Sequence, residues 1–217
     1  MNPLHQPPVA VPCMYMRGGT SKGPFFNQAD LPSDKATRDR VLLSIMGSPD
    51  KRQIDGLGGA HPLTSKVGMV RPSTTPGVDL DFLFAQLQPD KDTVDTTPNC
   101  GNMLAAVVPF ALSSGMVHAT ADSTTLRVLT LNTDMQCDIT VDTRGGMVQY
   151  EGGARIDGAP GTSAPVTINF LNTAGKSNNT TNQKNITDLL ASYRSSCGKM
   201  IGKVSEIKGI LESKIAI

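Results

Sequence analysis

Apolar positions fall along this chain in one unbroken run and in several shorter alternating runs. From Met103 to Leu112 no side chain is charged or able to form a hydrogen bond. A helix that is apolar on all sides must be buried, so this run predicts a helix through the middle of a domain. Gly115 is the expected end of that helix, and Pro109 is expected to kink its second half.

The shorter runs predict strands, because they alternate or are apolar over short lengths between turn residues. They are residues 9–16, 67–70, 78–87, 126–131, a hairpin over 137–150 with its turn at Arg144-Gly-Gly, and 165–171. A short amphipathic helix over 36–46, stopped by Gly47, precedes most of them. Strands and helices do not alternate regularly, so the pattern predicts an α+β domain in which antiparallel strands surround one buried helix.

The pattern changes after about Gly175. Residues 176–217 carry seven Lys/Arg and three Asp/Glu, and 176–185 is polar and typical of a linker. Apolar residues then recur at steps of four and three, which predicts an amphipathic helical tail over 186–217. We therefore divide the chain into a domain over 1–175, the linker and the tail. The tail helix either folds back on the domain or joins two chains in a homo-oligomer.

Composition narrows the class of protein. The net charge of +1 does not indicate a nucleic-acid or membrane-surface partner, and no apolar run reaches the roughly 18 residues of a membrane span. The N-terminal residues lack the basic and hydrophobic regions of a signal peptide. The cysteines are scattered without C-x-x-C spacing, so neither a zinc site nor a disulfide framework is expected. A cytoplasmic protein with reduced thiols is the expectation.

Cys100 is the first candidate for chemistry. It stands where the N-terminus of the buried helix is predicted, between Asn99 and Gly101-Asn102. Unpaired amides and the positive end of the helix dipole collect at such a position, which can make a thiol usable as a proton carrier or a nucleophile. The alternative is that Cys100 only packs, since free cysteine is among the most buried residue types.

Two glycine-rich segments supply further candidates. Arg17-Gly-Gly-Thr-Ser-Lys-Gly23 combines exposed amides, hydroxyls and two cations, which suits a carboxylate or a phosphate. A tight basic hairpin is the alternative. The loop over 56–59 leads to Thr64, Ser65 and Lys66 at the start of a predicted strand. A lysine between a glycine loop and an apolar strand is a candidate for partial burial.

Several of these segments together resemble the PrpF-like isomerases, a family that includes 2-methylaconitate cis-trans isomerase and 4-oxalomesaconate tautomerase. The matching segments are Met16–Gly23, Met46–Asp50, Gln53–Gly59, Leu63–Val67, Phe82–Gln86 and Asn99–Asn102. The resemblance covers residues 12 to about 175. It implies a diaminopimelate-epimerase-like fold, in which a curved antiparallel sheet or barrel surrounds a central helix in each of two similar domains. The active site of such proteins lies in the cleft between the domains.

The resemblance also implies a reaction and roles. The family moves a proton along an unsaturated di- or tricarboxylic acid without a metal or a cofactor. Lys66 and Cys100 would be the acid/base pair, and the sequence leaves open which of them removes the proton. The substrate-binding residues implied are Arg17, Gly18, Gly19, Thr20, Ser21, Lys22, Thr64, Ser65, Gly101 and Asn102.

The second half of the family's pattern is missing from this sequence. Family members continue with a second domain that forms the other wall of the cleft, whereas here the tail follows the first domain. Two functions follow as alternatives. The chain is an isomerase or tautomerase for a small carboxylate substrate, or it is a non-catalytic domain that binds a carboxylate or self-associates through residues 186–217.

Overall fold

The computed structural model describes residues 9–171 and the two-residue strand Ile215–Ala216. The predicted linker 176–185 and almost all of the predicted tail 186–217 lie outside the described residues. No helix in residues 9–171 combines the length and the apolar character needed to cross a bilayer.

A nine-stranded sheet dominates the described part of the chain, in the order β1-β2-β3-β4-β6-β7-β8-β9, with β5 paired to β4. The strands are β1 (Met14–Gly18), β2 (Ser21–Asn27), β3 (Lys66–Pro72), β4 (Leu80–Leu87), β5 (Val94–Asp95), β6 (Ser123–Thr130), β7 (Met135–Asp142), β8 (Thr167–Phe170) and β9 (Ile215–Ala216). The helices are α1 (Lys35–Met46), α2 (Gly101–Leu104) and α3 (Val107–Ser113).

The sheet is mixed, so the prediction of a purely antiparallel sheet is wrong at two places. β2 pairs with β3 in parallel, and β4 pairs with β6 in parallel. Parallel neighbours need a crossover connection of about a dozen residues or more. The chain provides both connections: α1 and a glycine-rich loop lie between β2 and β3, and β5, α2 and α3 lie between β4 and β6.

The predicted central helix is two short helices rather than one. The amides of Ala105 and Ala106 each bond the carbonyl three residues back, and α3 begins at Val107. Pro109 explains the break, because proline has no N–H to donate to the carbonyl of Ala105 and its ring crowds that carbonyl. The first turn of α3 tolerates the proline, since the amide there would have no helical partner anyway. By contrast, the predicted first helix is confirmed, with Gly47 at its end in a left-handed conformation (φ 76°).

The predicted hairpin over 137–150 is also wrong. β7 instead forms its hairpin with the preceding strand β6, in the register Leu126↔Ile139. Arg144–Gly146 form a short 3-10 turn, but residues 147–150 form no strand. Thr143, which precedes this turn, is held against β6. Its buried hydroxyl donates to Ala121 O (2.6 Å) and lies 2.9 Å from Thr124 Oγ1 of β6.

Two buried clusters lie on opposite faces of the sheet. The first contains α2 and α3 together with side chains from β2, β4, β6, β7 and β8, so the sheet curls around the two short helices. The second packs α1 against β2, β3 and β4. β4 shows the alternation of a strand buried on both sides: Phe82 and Phe84 face the first cluster, whereas Ala85 and Leu87 face the second.

Candidate active site

Lys66 and Cys100 meet at the rim of the first cluster. The Lys66 ammonium Nζ lies 3.7 Å from the Cys100 sulfur Sγ. Lys66 opens β3 and has an exposed fraction of 8%, whereas Cys100 directly precedes α2 and is partly buried against the first cluster. The structure thus brings together the two residues that the sequence singled out from separate segments.

The ammonium of Lys66 is held by two other side chains. It donates to Gln86 Oε1 at 2.7 Å, and it lies 4.9 Å from the centre of the Phe84 ring. A charge removed from water needs such partners, because burial without them is costly, and an aromatic face attracts a cation within about 6 Å. These contacts direct the ammonium towards the sulfur.

The sulfur of Cys100 does not cap α2. The residue is the N-cap of α2 (φ −138°, ψ 100°), and its side chain makes no capping hydrogen bond. Because α2 has only four residues, its dipole is much smaller than that of the long helix expected from sequence. The positive charge next to the sulfur is therefore mainly that of Lys66.

The glycine loop between β1 and β2 packs tightly on the start of α2. A Cβ on Gly18 would lie 2.0 Å from Asn102 O, and a Cβ on Gly19, where φ is +52°, would lie 2.4 Å from Asn102 Oδ1. Asn102 Nδ2 donates to Thr20 Oγ1 at 2.9 Å and to Ser21 Oγ at 3.4 Å. Only glycine at positions 18 and 19 allows the backbone to come this close to Asn102. Four of the predicted binding residues, 18–21, therefore contact Asn102.

The side chains of Arg17 and Lys22 do not point to the face of the β1–β2 hairpin that contacts Asn102. They are cross-strand partners, next to the Gly18↔Ser21 pair that contacts Asn102. Since neighbouring side chains on a strand point to opposite faces, both cations leave from the far side of the hairpin. Arg17 Nη1 donates to Gly19 O at 2.7 Å, and Lys22 Nζ lies 5.9 Å from the Tyr15 ring.

Thr64 and Ser65 support the loop before β3 rather than facing the sulfur. Ser65 is fully buried, with Oγ at 2.9 Å from Gln53 Oε1 and 2.8 Å from His61 O. Thr64 Oγ1 donates to His61 O at 3.1 Å. Their hydrogen bonds fix the loop that delivers Lys66.

Gln86 and Phe84 are the site residues that the sequence reasoning missed. They face the first cluster from β4, and the register pairs Lys66 with Gln86 directly across the β3–β4 ladder. The available signal was the polar Gln86 directly after the apolar run 82–85. Asn99 was also missed as a supporting residue: its Nδ2 donates to Thr130 Oγ1 (3.1 Å) and Thr133 Oγ1 (2.8 Å), which fixes the segment before Cys100.

The other described cysteines lie in different surroundings. Cys137 is fully buried in the first cluster, and burial, followed by the nearby Asp138 carboxylate, raises the pKa of its thiol to about 12. Cys13 is exposed, and partial burial of its thiol raises its pKa. No group of three or more metal-binding side chains occurs among the described residues.

A cavity of about 450 Å³ lies elsewhere, along the free edge of β1. Its walls come from β1, from Ala105, Ala106 and Pro109, and from segments 148–150 and 163–166, and neither Lys66 nor Cys100 lines it. Its lining includes the predicted binding residues Arg17, Gly18 and Gly19, but it has no amine–thiol pair like that of Lys66 and Cys100. We therefore place the candidate active site at the Lys66–Cys100 pair.

Comparison with known proteins agrees with the resemblance noted from the motifs. The family described as PrpF protein matches residues 8–202. A (4E)-oxalomesaconate Δ-isomerase from Novosphingobium sp. (strain KA1) is 54% identical over 77% of this chain and 47% of its own length. A 4-oxalomesaconate tautomerase from Pseudomonas putida is 51% identical over 77% of this chain and 46% of its own length.

A solved structure shares the fold. The crystal structure of methylitaconate-delta-isomerase superposes with a TM-score of 0.71 at 45% identity, covering 73% of this chain and 41% of that one. The chain spans about half the length of the curated relatives it matches. The family match over residues 8–202 and the 54% identity to one of these relatives lead to one conclusion: this chain belongs to the PrpF family.

Proposed function

We propose that this chain carries the proton-transfer half of an isomerase or tautomerase site for unsaturated di- or tricarboxylic acids. The observation that carries the proposal is the 3.7 Å separation between Lys66 Nζ and Cys100 Sγ. An amine and a thiol in contact can share a proton, and an ammonium beside a thiol favours the thiolate. Such a pair suits removal and return of a proton at carbon.

In the proposed reaction, one member of the pair removes a proton from the carbon next to the double bond. The electrons delocalise through the double bond into the neighbouring carboxylate or ketone, which becomes enolate-like. The same member or the other then protonates the chain one double bond away, so no atom is gained or lost. The amides of Gly101 and Asn102 have no acceptor among the described residues and are the donors we assign to the enolate oxygen.

The relatives suggest the substrate class. Besides the two oxalomesaconate enzymes, a 3-methylitaconate isomerase from Eubacterium barkeri is 46% identical over 76% of this chain. All three names denote a shift of unsaturation in a small polycarboxylic acid. We assign the hydroxyl of Thr20, next to Asn102, to a substrate carboxylate, in preference to the cations of Arg17 and Lys22. Ser21 is buried and supports Asn102 from behind.

The test is turnover of 4-oxalomesaconate and 3-methylitaconate by the purified full chain and by Cys100→Ser and Lys66→Met. Loss of an acid/base group typically costs about 10²–10⁴-fold, so each variant should lose at least roughly 100-fold in kcat/KM. Cys13→Ser and Lys91→Met are matched controls, because both side chains are exposed and neither is hydrogen-bonded to Lys66 or Cys100. They should retain the activity of the parent chain.

The competing function is a non-catalytic domain that binds a carboxylate or assembles through residues 186–217. It predicts no turnover by the parent chain, together with binding of the acids that survives Cys100→Ser. Calorimetric titration with the same acids separates the two. Turnover that is equal in the parent chain and in both site variants would reject the proposed roles of Lys66 and Cys100.

A further inference from the structure

We infer that Gln86 is the positioning residue of the site: it fixes the Lys66 ammonium against Cys100 with a neutral acceptor. This inference rests on the proposed roles of Lys66 and Cys100. Gln86 touches neither the sulfur nor, in our account, the reacting carbon. It acts through the lysine.

The backbone determines which way the Gln86 amide points. Its Nε2 lies 3.0 Å from Pro62 O, 3.1 Å from Ser65 O and 2.8 Å from Leu87 O. A flipped amide would place its carbonyl oxygen against three carbonyl oxygens and its NH₂ group against an ammonium. The oxygen Oε1 must therefore face Lys66 Nζ, where it accepts at 2.7 Å.

The same contacts bind the segment that delivers the lysine. Pro62 and Ser65 belong to the loop before β3, and Lys66 follows directly. Gln86 therefore fixes both ends of the lysine: the backbone through Ser65 O, and the ammonium through Oε1. A side chain held at both ends loses little further freedom when it reacts.

A neutral partner has a chemical advantage here. A carboxylate at position 86 would offset the positive charge felt by the Cys100 sulfur and would repel an anionic substrate. An amide oxygen orients the ammonium through a hydrogen bond while leaving its charge available. The chemistry of the site thus favours Gln over Glu at this position.

On the β5 side, the sheet register places one charged residue, Asp95, across from Gln86. The Asp95 carboxylate, however, accepts from Thr97 N (2.9 Å) and Thr97 Oγ1 (2.7 Å). Besides its hydrogen bond to Gln86, the ammonium contacts the Phe84 ring and the Cys100 sulfur, and Lys66 forms no salt bridge with any described residue.

A carboxylate at position 86 would lie directly beside the Lys66 ammonium. Because Gln86→Glu also removes the NH₂ group that donates to Pro62 O, Ser65 O and Leu87 O, the test below needs a monitor of folding.

The test follows alkylation of each cysteine by iodoacetamide from pH 5 to 10, with peptide mass spectrometry, in the full chain. Gln86→Glu should slow the alkylation of Cys100 about tenfold near neutral pH, because the added carboxylate offsets the charge of the Lys66 ammonium beside the sulfur. Gln86→Asn withdraws the amide by one methylene group. It should slow the alkylation of Cys100 by about fivefold, which corresponds to the free energy of one net hydrogen bond. Gln88→Glu adds the same charge two residues along and should leave the profile unchanged.

Cys137 serves as an internal monitor of folding in the same samples, because it is fully buried and its pKa is raised to about 12. Slower alkylation of Cys100 together with unchanged alkylation of Cys137 supports the inference. If both Gln86 variants expose Cys137 to alkylation, or if neither alters Cys100 while Lys66→Met does, Gln86 has only a structural role and the inference is overturned. An unchanged Cys100 profile in Lys66→Met would instead overturn the proposed function itself.

Discussion

Lys66 is a charged side chain with an exposed fraction of only 8%. Lysine is almost never buried unless it is paired, and here the pairing comes from an amide oxygen, an aromatic ring and a thiol. None of these partners is a carboxylate. The ammonium is therefore oriented without being neutralised, so its charge remains available to the Cys100 sulfur.

Gly18→Ala tests how closely the glycine loop must approach α2. The new Cβ would lie 2.0 Å from Asn102 O, so either the loop or the helix start has to move, and such overpacking costs about 1–3 kcal/mol. We expect a lower urea midpoint and, because Asn102 shifts, altered alkylation of Cys100. Gly153→Ala is the matched control, since a Cβ there meets nothing within 4 Å. Equal midpoints for the two variants would contradict the close approach.

Lys66 and Cys100 could be singled out as candidates from sequence because each stands at a local boundary between a glycine-rich segment and an apolar one. Gln86 could not be predicted, since its role depends on the β3–β4 register across 20 residues of chain. The position of Arg17 and Lys22 on the other face of the hairpin could not be predicted for a related reason. β1 and β2 extend to within two residues of each other, so the strand pleat, rather than a free loop, directs both cations.

At the scale of elements, the sequence predicted the features that depend on neighbouring residues, such as the ends of α1. It did not predict the features that depend on tertiary contacts, such as strand pairing. α1 follows its capping residues closely: Asp34 caps its start and Gly47 its end. The central apolar run was correctly expected to be buried, but the position of its break depends on which carbonyl Pro109 leaves unpaired. The two parallel pairings could not be read from apolar periodicity, because antiparallel and parallel strands differ in how they are connected rather than in that periodicity.

Asp34→Ala tests the cap of α1 through its pH dependence. The Thr37 backbone N–H donates to the Asp34 carboxylate at 2.8 Å and lowers the pKa of this group below its ordinary value of 3.8. A lowered folded-state pKa stabilises the fold above about pH 4 and ceases to do so as the pH falls through the folded-state value. The parent chain should therefore have the higher urea midpoint at pH 7, and the difference should narrow below pH 4.

Asp92→Ala is the control for the cap, because Asp92 is exposed and makes no side-chain hydrogen bond with any described residue. Its urea midpoint should match that of the parent chain at both pH values. A difference between the parent chain and Asp34→Ala that grows as the solution is acidified would contradict the assigned cap.

At the scale of the molecule, one curled sheet holds the candidate site at the rim of its first cluster. Cys100, Gly101 and Asn102 are all partly exposed there, so water reaches the site. Electrostatic stabilisation of an enolate is strongest where water is excluded.

Incorporation of deuterium is the most direct test of the central claim, that Lys66 and Cys100 form a proton-transfer pair. The full chain is incubated with 4-oxalomesaconate in D₂O, and deuterium in the acid is measured by mass spectrometry, so that proton removal is counted even when little product forms. Our account predicts incorporation above the protein-free rate by the parent chain, and a loss of at least roughly 100-fold in Lys66→Met and in Cys100→Ser. Incorporation at the parent rate in both variants would contradict it.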